Sequence, residues 1–210
     1  MAKQEYPLEY LQHYVPKAAA APILHLLQQY QVHLTITKER KSVLGDYRHA
    51  INNAAHRISV NGNLNPYSFL ITLIHELAHL VTFLEFGNRV AAHGKEWKHL
   101  YRMLLTQFLT TAIFPPDIQA ALQSSLHNLP ASSCADEDLM RILRRYDSKK
   151  AGMYLLEELP EGTIFELEGP RVFVKVGQLR KRFQCTEIKT GKKYLFSPIY
   201  EVKKLSSKNN

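Results

Sequence analysis

His75 and His79 stand four residues apart with Glu76 between them, in the run His75-Glu76-Leu77-Ala78-His79. On a helix, residues at that spacing share nearly one face, so both imidazoles can reach a single ion. Glu76 is turned by about 100° from His75, close enough to hold a water on that ion without being a ligand itself. Zinc lowers the pKa of such a water to about 7, and a carboxylate can then take its proton as the water attacks a carbonyl. From this chain's own His and Glu frequencies, chance predicts roughly 0.03 copies of the five-residue pattern. The setting also argues against two core histidines satisfied by hydrogen bonds alone. Two imidazoles and a carboxylate inside an otherwise apolar helix are costly to bury without compensation.

A catalytic zinc needs a third protein ligand and an open fourth position. An extended motif would put a glycine at position 82 and a histidine at position 85, but Thr82 and Glu85 stand there. Glu85 projects about 140° away from His75 on an ideal helix, which makes it a poor ligand. The best candidate is His93, in His93-Gly94-Lys95-Glu96-Trp97, with Glu96 and His99 competing for the role. His13, His25, His33, His49, His56 and His127 lack ligand spacing and read as surface or locally bonded groups. Trp97 reads as a core anchor.

These residues need a rigid frame. Asn65-Pro66 is a helix start, with Asn as N-cap and Pro in the first turn, and Gly87 is a natural stop. The helix between them is apolar on nearly every side, so it is expected to be central and buried. Upstream, 18–31 reads as a helix, Val32 to Thr37 as a strand, and Arg57 to Val60 as a second strand after a polar loop through Gly45. That second strand is expected to offer an edge to an extended substrate. Further helices are expected near Gly94, from Pro115-Pro116-Asp117, and over 137–146, the last after a linker at 129–136. Beyond about residue 153 the texture changes to short strands between glycine-containing turns. The expected organisation is an α+β domain over 1–147, a small antiparallel β-module over 148–205 and a frayed tail over 206–210. Phe165, Val172, Val174, Phe183, Tyr194 and Phe196 are expected to form the module's core, with outward Lys and Arg between them.

The net charge of +8 is unevenly spread. Residues 1–139 carry 11 basic and 11 acidic side chains, whereas residues 140–210 carry 16 and 8. A basic segment of this kind suggests a polyanionic partner such as nucleic acid. Arg180, Lys181, Arg182, Lys192 and Lys193 are the candidate contacts, with Phe183 and Tyr194 interleaved to stack unpaired bases, hence a preference for single strands. Two cysteines, Cys134 and Cys185, exclude a disulfide framework and a four-cysteine zinc site. No signal-like start and no run of about 18 apolar residues are seen, so a cytoplasmic protein without a membrane span is expected, nucleoid-associated if it binds DNA.

The motif around His75 to His79, followed by His93-Gly94-Lys95-Glu96-Trp97, resembles the SprT-like family, which includes the Spartan DNA–protein crosslink proteases. Ser42-Val43-Leu44-Gly45, Ile58-Ser59-Val60-Asn61 and Leu64-Asn65-Pro66 are similar to that family's approach to the metal helix. The resemblance spans roughly residues 20–110. It implies a zincin-like metalloprotease fold, one zinc held by His75, His79 and His93, and Glu76 as catalytic base. Many relatives follow the core with a cysteine-paired zinc ribbon that helps bind DNA. Here Arg180 to Cys185 and Lys192 to Tyr194 resemble its hairpins with a single cysteine, so the module is expected to be metal-free.

The expected function is a zinc metalloendopeptidase acting on DNA-associated or DNA-crosslinked protein, in a DNA-repair setting. Two other functions compete. One is a nucleic-acid-binding, transcription-related accessory factor with a vestigial zinc core, against which an intact Glu76 argues. The other is a zinc peptidase with no DNA link. Tyr101, Arg102 and His99 are all candidates to support an oxyanion.

Overall fold

A computed structural model describes residues 8–40, 42–50, 55–109, 112–127, 136–148, 151–167 and 169–205. Two units separate at residues 147/148. In the first, a 3-10 turn over Leu8–His13 leads into α1 (Lys17–Gln29), which buries Ala19, Ile23 and Leu27 as one stripe at four-residue intervals. Strand β1 (Val32–Thr37) follows, and its alternation turns Val32 and Leu34 into the core and Thr35 and Thr37 away from it.

The remaining strands of this sheet are β2 (Gly45–Arg48) and β3 (His56–Asn61), in the order β1-β3-β2. β3 runs parallel to β1 and antiparallel to β2. Two expectations change here. The segment from Gly45, expected as loop, is a strand. β3 carries Arg57 to Val60 and is paired on both sides, so it offers no edge; the free edge beyond it belongs to β2. The signal was weak because Gly45-Asp46-Tyr47-Arg48 has only one β-forming residue, and pairing with β3 overrides its local preference.

Asn65 starts α2 (Pro66–Phe86), its carboxamide oxygen accepting from the amides of Tyr67 and Ser68. Its Nδ2 donates to Leu143 O and to the Asp147 carboxylate, tying the helix start to the end of the unit. Gly87, at φ 59°, ends the helix with its amide on Phe83 O. By length and composition α2 would pass for a membrane span. In this structure it is a core helix, covered by β2, β3 and α3 (Lys95–Leu109) and buried from Phe69 to Ala78 without a break. α4 (Pro116–His127) and α5 (Glu137–Arg144) complete the unit. The expected linker, apart from Asp136, and the expected tail lie outside the described residues.

The second unit is a six-stranded antiparallel sheet. It contains β4 (Met153–Leu155), β5 (Ile164–Glu166), β6 (Val172–Leu179), β7 (Arg182–Glu187), β8 (Lys193–Phe196) and β9 (Glu201–Lys204), in the order β4-β9-β5-β6-β7-β8. Leu156, Leu159, Phe165, Phe173, Cys185 and Val202 form its core, with Phe183, Tyr194 and Phe196 packed against it. Val172 and Val174 are half-buried on the opposite face, which corrects the expected core by one residue of register. The cause is Lys175. Read as outward-facing, it assigned the alternating valines to the core. Instead its ammonium is buried, donating to Leu156 O at 2.9 Å and to Leu159 O, 3.8 Å from the centre of the Phe183 ring.

Candidate metal centre

α2 projects His75 and His79 from one face, and the turn before α3 supplies His93. Nε2 of His75 lies 3.2 Å from Nε2 of His79 and 3.3 Å from Nε2 of His93. One ligand atom from each of the three falls within 4.8 Å of the others. A tetrahedral ion with bonds of about 2.0–2.1 Å spaces its donors about 3.3–3.4 Å apart, so two of the three edges match such an ion. Burial, reinforced by the neighbouring imidazoles, pushes His75 down to about 3 and His79 to about 4. Burial and then Lys98 lower His93 as well. All three are therefore neutral at pH 7, with lone pairs available to a cation. The donor set fits a metal ion.

Trp97 explains why the three rings stay together. It is fully buried, with its ring 4.7, 5.2 and 4.8 Å from those of His75, His79 and His93, and Tyr101 stacks on it at 5.0 Å. Positions 93, 97 and 101 recur at helical spacing, a signal legible only once His93 is accepted as a partner of α2. His75 Nδ1 and Trp97 Nε1 are buried with no hydrogen-bond partner. The Nδ1 edge of the His75 ring is thus held by packing, while its Nε2 faces the other two imidazoles.

Glu76 points under the edge strand. The Tyr47 backbone amide lies close enough to favour its charged form. A Cβ built on Gly45 would sit 2.6 Å from Glu76 Oε1 and 2.8 Å from its Cγ. Only glycine permits this approach. Burial, with Asp46 adding to it, raises the Glu76 carboxyl to about 8, while Arg40 and the Tyr47 amide work against the rise. A cation among the three histidines would draw it back down. The strand is held in place from behind. Asn61 Nδ2 donates to the carbonyls of Arg40 and Val43, and Arg40 Nε returns a bond to Asn61 Oδ1 at 2.8 Å. Gly45 and Asn61 lie in segments that the family resemblance marks, without a role for either, and Arg40 was passed over because it bears no reactive chemistry.

The competing ligands are elsewhere: His99 and Glu85 face solvent, and Glu96 lies 3.9 Å from Lys95. Of the oxyanion candidates, Tyr101 alone lies against the imidazoles, 5.7 Å from the His75 ring, whereas Arg102 donates twice to Leu126 O. Tyr47, His56, His49 and Phe83 form an aromatic cluster beside the edge strand, with the Tyr47 hydroxyl 2.9 Å from His56 Nδ1.

The five basic candidates of the second unit do not converge. Arg180, Lys181 and Arg182 sit at the β6–β7 turn, Lys192 and Lys193 at the β7–β8 turn, at opposite ends of β7. Six residues of strand separate the groups by about 17–20 Å. All five are exposed. Neither Phe183 nor Tyr194 is a free platform. The first lies under Lys175, and the second packs edge-on to Phe173 with the Arg171 guanidinium 4.8 Å above it.

A protein-family model described as the SprT-like family matches residues 12–119, just over half of the chain. The chain belongs to the SprT-like family. Its domain is of the zincin-like metalloprotease type, and the matched SprT-like segment contains β1 to β3, α2, the His93 turn and α3. Every residue of the centre lies within it, and the six-stranded sheet lies outside it. Neither the curated proteins nor the solved structures searched contain a match.

Proposed function

We propose that this chain is a zinc-dependent endopeptidase, with His75, His79 and His93 as ligands to one zinc ion and Glu76 as general base. The observation that carries the reading is the convergence of three neutral imidazoles, with His75 Nε2 at tetrahedral spacing from both of the others, beside a carboxylate packed against a strand edge. A zinc ion bound there supplies Lewis acidity, polarising a peptide carbonyl and acidifying a water. Glu76 takes the proton of the attacking water and returns it to the leaving amine. The free edge of β2 hydrogen-bonds an extended peptide and lays it past Glu76. Trp97 and Tyr101 keep the ligand rings from turning away.

The substrate in this reading is protein bound or crosslinked to DNA inside the cell. It is supported by the family membership and by the charge excess, which lies wholly after residue 139. The test is Glu76→Gln, which keeps the shape and removes the base. The variant is expected to keep one zinc per chain and the wild-type fold and to lose proteolysis of an unfolded protein substrate by at least about 100-fold. Cleavage near the wild-type rate, or a zinc-free wild-type protein, overturns the proposal.

A further inference from the structure

The face of the three-stranded sheet turned away from α2 carries a second constellation, unrelated to the histidines. β2, β3 and β1 place Arg48, Arg57, Ser59, Thr35 and Thr37 there, and Arg40 closes one end, around a cavity of about 270 Å³. Its volume lies below the roughly 300–1,000 Å³ that encloses an organic ligand, so it suits a compact ion with part of its hydration shell.

The charges in it are arranged against the usual rule for sheets. Arg48 and Arg57 are direct cross-strand partners. Like charges so placed repel, with Cβ atoms about 4.5–5.5 Å apart. Among the described residues, Arg57 has no ion-pair or hydrogen-bond partner. Arg48 gives only its Nε to Asp46 Oδ2, at 2.8 Å, which leaves its two terminal nitrogens open. Arg40 adds a third positive charge, fixed by bonds to Asn61 Oδ1, Ser59 Oγ and the carbonyls of Leu44 and Ser59. Since Ser59 Oγ accepts from Arg40, its own hydrogen is left to donate into the cavity. Asp46 is the one carboxylate present, so the lining keeps a net charge of +2.

We propose that this face binds a phosphate-class oxyanion, clamped between the Arg48 and Arg57 guanidinium forks with the Ser59 hydroxyl beneath it. An anion there converts the Arg48–Arg57 repulsion into two charge-assisted contacts, the geometry in which forked donors recognise phosphate. The phosphate is either the backbone of a nucleic-acid strand or free inorganic phosphate, and the two chemistries are the same at the site. Neither zinc nor the three histidines take part, and although Arg40 and Asp46 also act on Glu76, the test reads anion binding without proteolysis, so it can fail apart from the protease reading.

The test uses the full chain at low salt, comparing wild type with Arg57→Gln and with Arg48→Gln/Arg57→Gln. Thermal unfolding is followed against inorganic phosphate and pyrophosphate, and fluorescence anisotropy against a labelled single-stranded oligonucleotide. Ligand binding to the folded state raises the wild-type Tm. Each lost arginine contact is expected to weaken binding about tenfold. For the oligonucleotide, the double substitution removes the one phosphate held by both forks and is expected to make the log–log salt slope shallower by about 0.7–1. Without anion, Arg57→Gln is expected to melt at or above wild type, because it removes a like-charge pair. A response to pyrophosphate alone assigns the site to free phosphate, and a response to the oligonucleotide alone assigns it to a nucleic-acid backbone. No response of the wild type to any of the three probes overturns the proposal, as does a response that the double substitution leaves unchanged.

Discussion

Gly45→Ala tests whether the edge strand positions the base. The added methyl would stand 2.6 Å from Glu76 Oε1, 2.8 Å from its Cγ and 2.8 Å from Thr72 Cγ2. Ordinary van der Waals contact begins at 3.4 Å, so the carboxylate or the strand must retreat by about 0.8 Å. Overpacking of this kind costs about 1–3 kcal/mol. In a chain of this size, that lowers Tm by about 2–4 °C per kcal/mol. The effect on chemistry is larger than the effect on stability, because a misplacement of about 1 Å in a reacting group costs about 100-fold in rate. None of the clashing atoms belongs to His75, His79 or His93, so the variant should still bind one zinc per chain. The assay is cleavage of an unfolded protein substrate by zinc-loaded wild type and variant at a temperature well below both melting points, with metal content measured on the same samples. Cleavage within about threefold of wild type would show that β2 does not set the position of Glu76. Loss of zinc would show that the strand supports the ligands instead.

Two further outcomes follow from buried charge. In the metal-free chain, His75 and His79 titrate at about 3 and about 4, below their ordinary 6.5. Below pH 6.5 these two sites therefore bind more protons in the unfolded chain than in the folded one, and they lower stability progressively as the pH falls from 7 towards 4. Glu76, raised to about 8, acts in the opposite direction over this range, so metal-free Glu76→Gln isolates the histidines: its denaturant midpoint should fall from pH 7 to pH 5, and an unchanged midpoint refutes the reading. Lys175→Met leaves the buried Leu159 carbonyl without its donor, at about 1–3 kcal/mol, while Leu156 O keeps the Leu159 amide. Hydrogen exchange over 151–205 should accelerate in that variant while 55–109 is unaffected, and unchanged protection contradicts a structural role for the ammonium.

What could be read beforehand divides by the range of the forces involved. α2 was legible from end to end because its cap, its apolar run and its stop all lie within the helix: Asn65, Phe69 to Val81, Gly87. The pairing of His75 with His79 was legible for the same reason, since four residues on a helix determine the spacing. His93 was one of three candidates, and folding separates it from Glu96 and His99 through Trp97, whose ring packs against all three imidazoles. Strand β2 was not legible, because its four residues become a strand only by pairing with β3. The face of β6 was misread because a lysine was taken as a sign of solvent, and the two carbonyls that satisfy Lys175 lie 16 and 19 residues away in sequence. The five basic side chains look like one cluster in sequence, but β7 holds their two groups apart.

The pattern of polar burial supports the same division of labour within the first unit. Its buried polar residues among those described are Asn61, Asn65, Thr72, His75, Glu76 and Thr82. Asn65 fixes where α2 begins. Asn61 fixes where the loop before β2 ends. The Thr72 methyl and Glu76 close the gap between the helix and Gly45, and Thr82 returns its hydroxyl to Ala78 O one turn beyond the site. Burying each of these groups carries a desolvation cost that an aliphatic side chain would avoid. A fold selected for stability alone would place leucine or valine at several of them. Four of the six, Asn61, Thr72, His75 and Glu76, belong to the histidine cluster or to the seam between α2 and β2. This is the expected distribution if the position of one carboxylate relative to three imidazoles is what the core is built to hold.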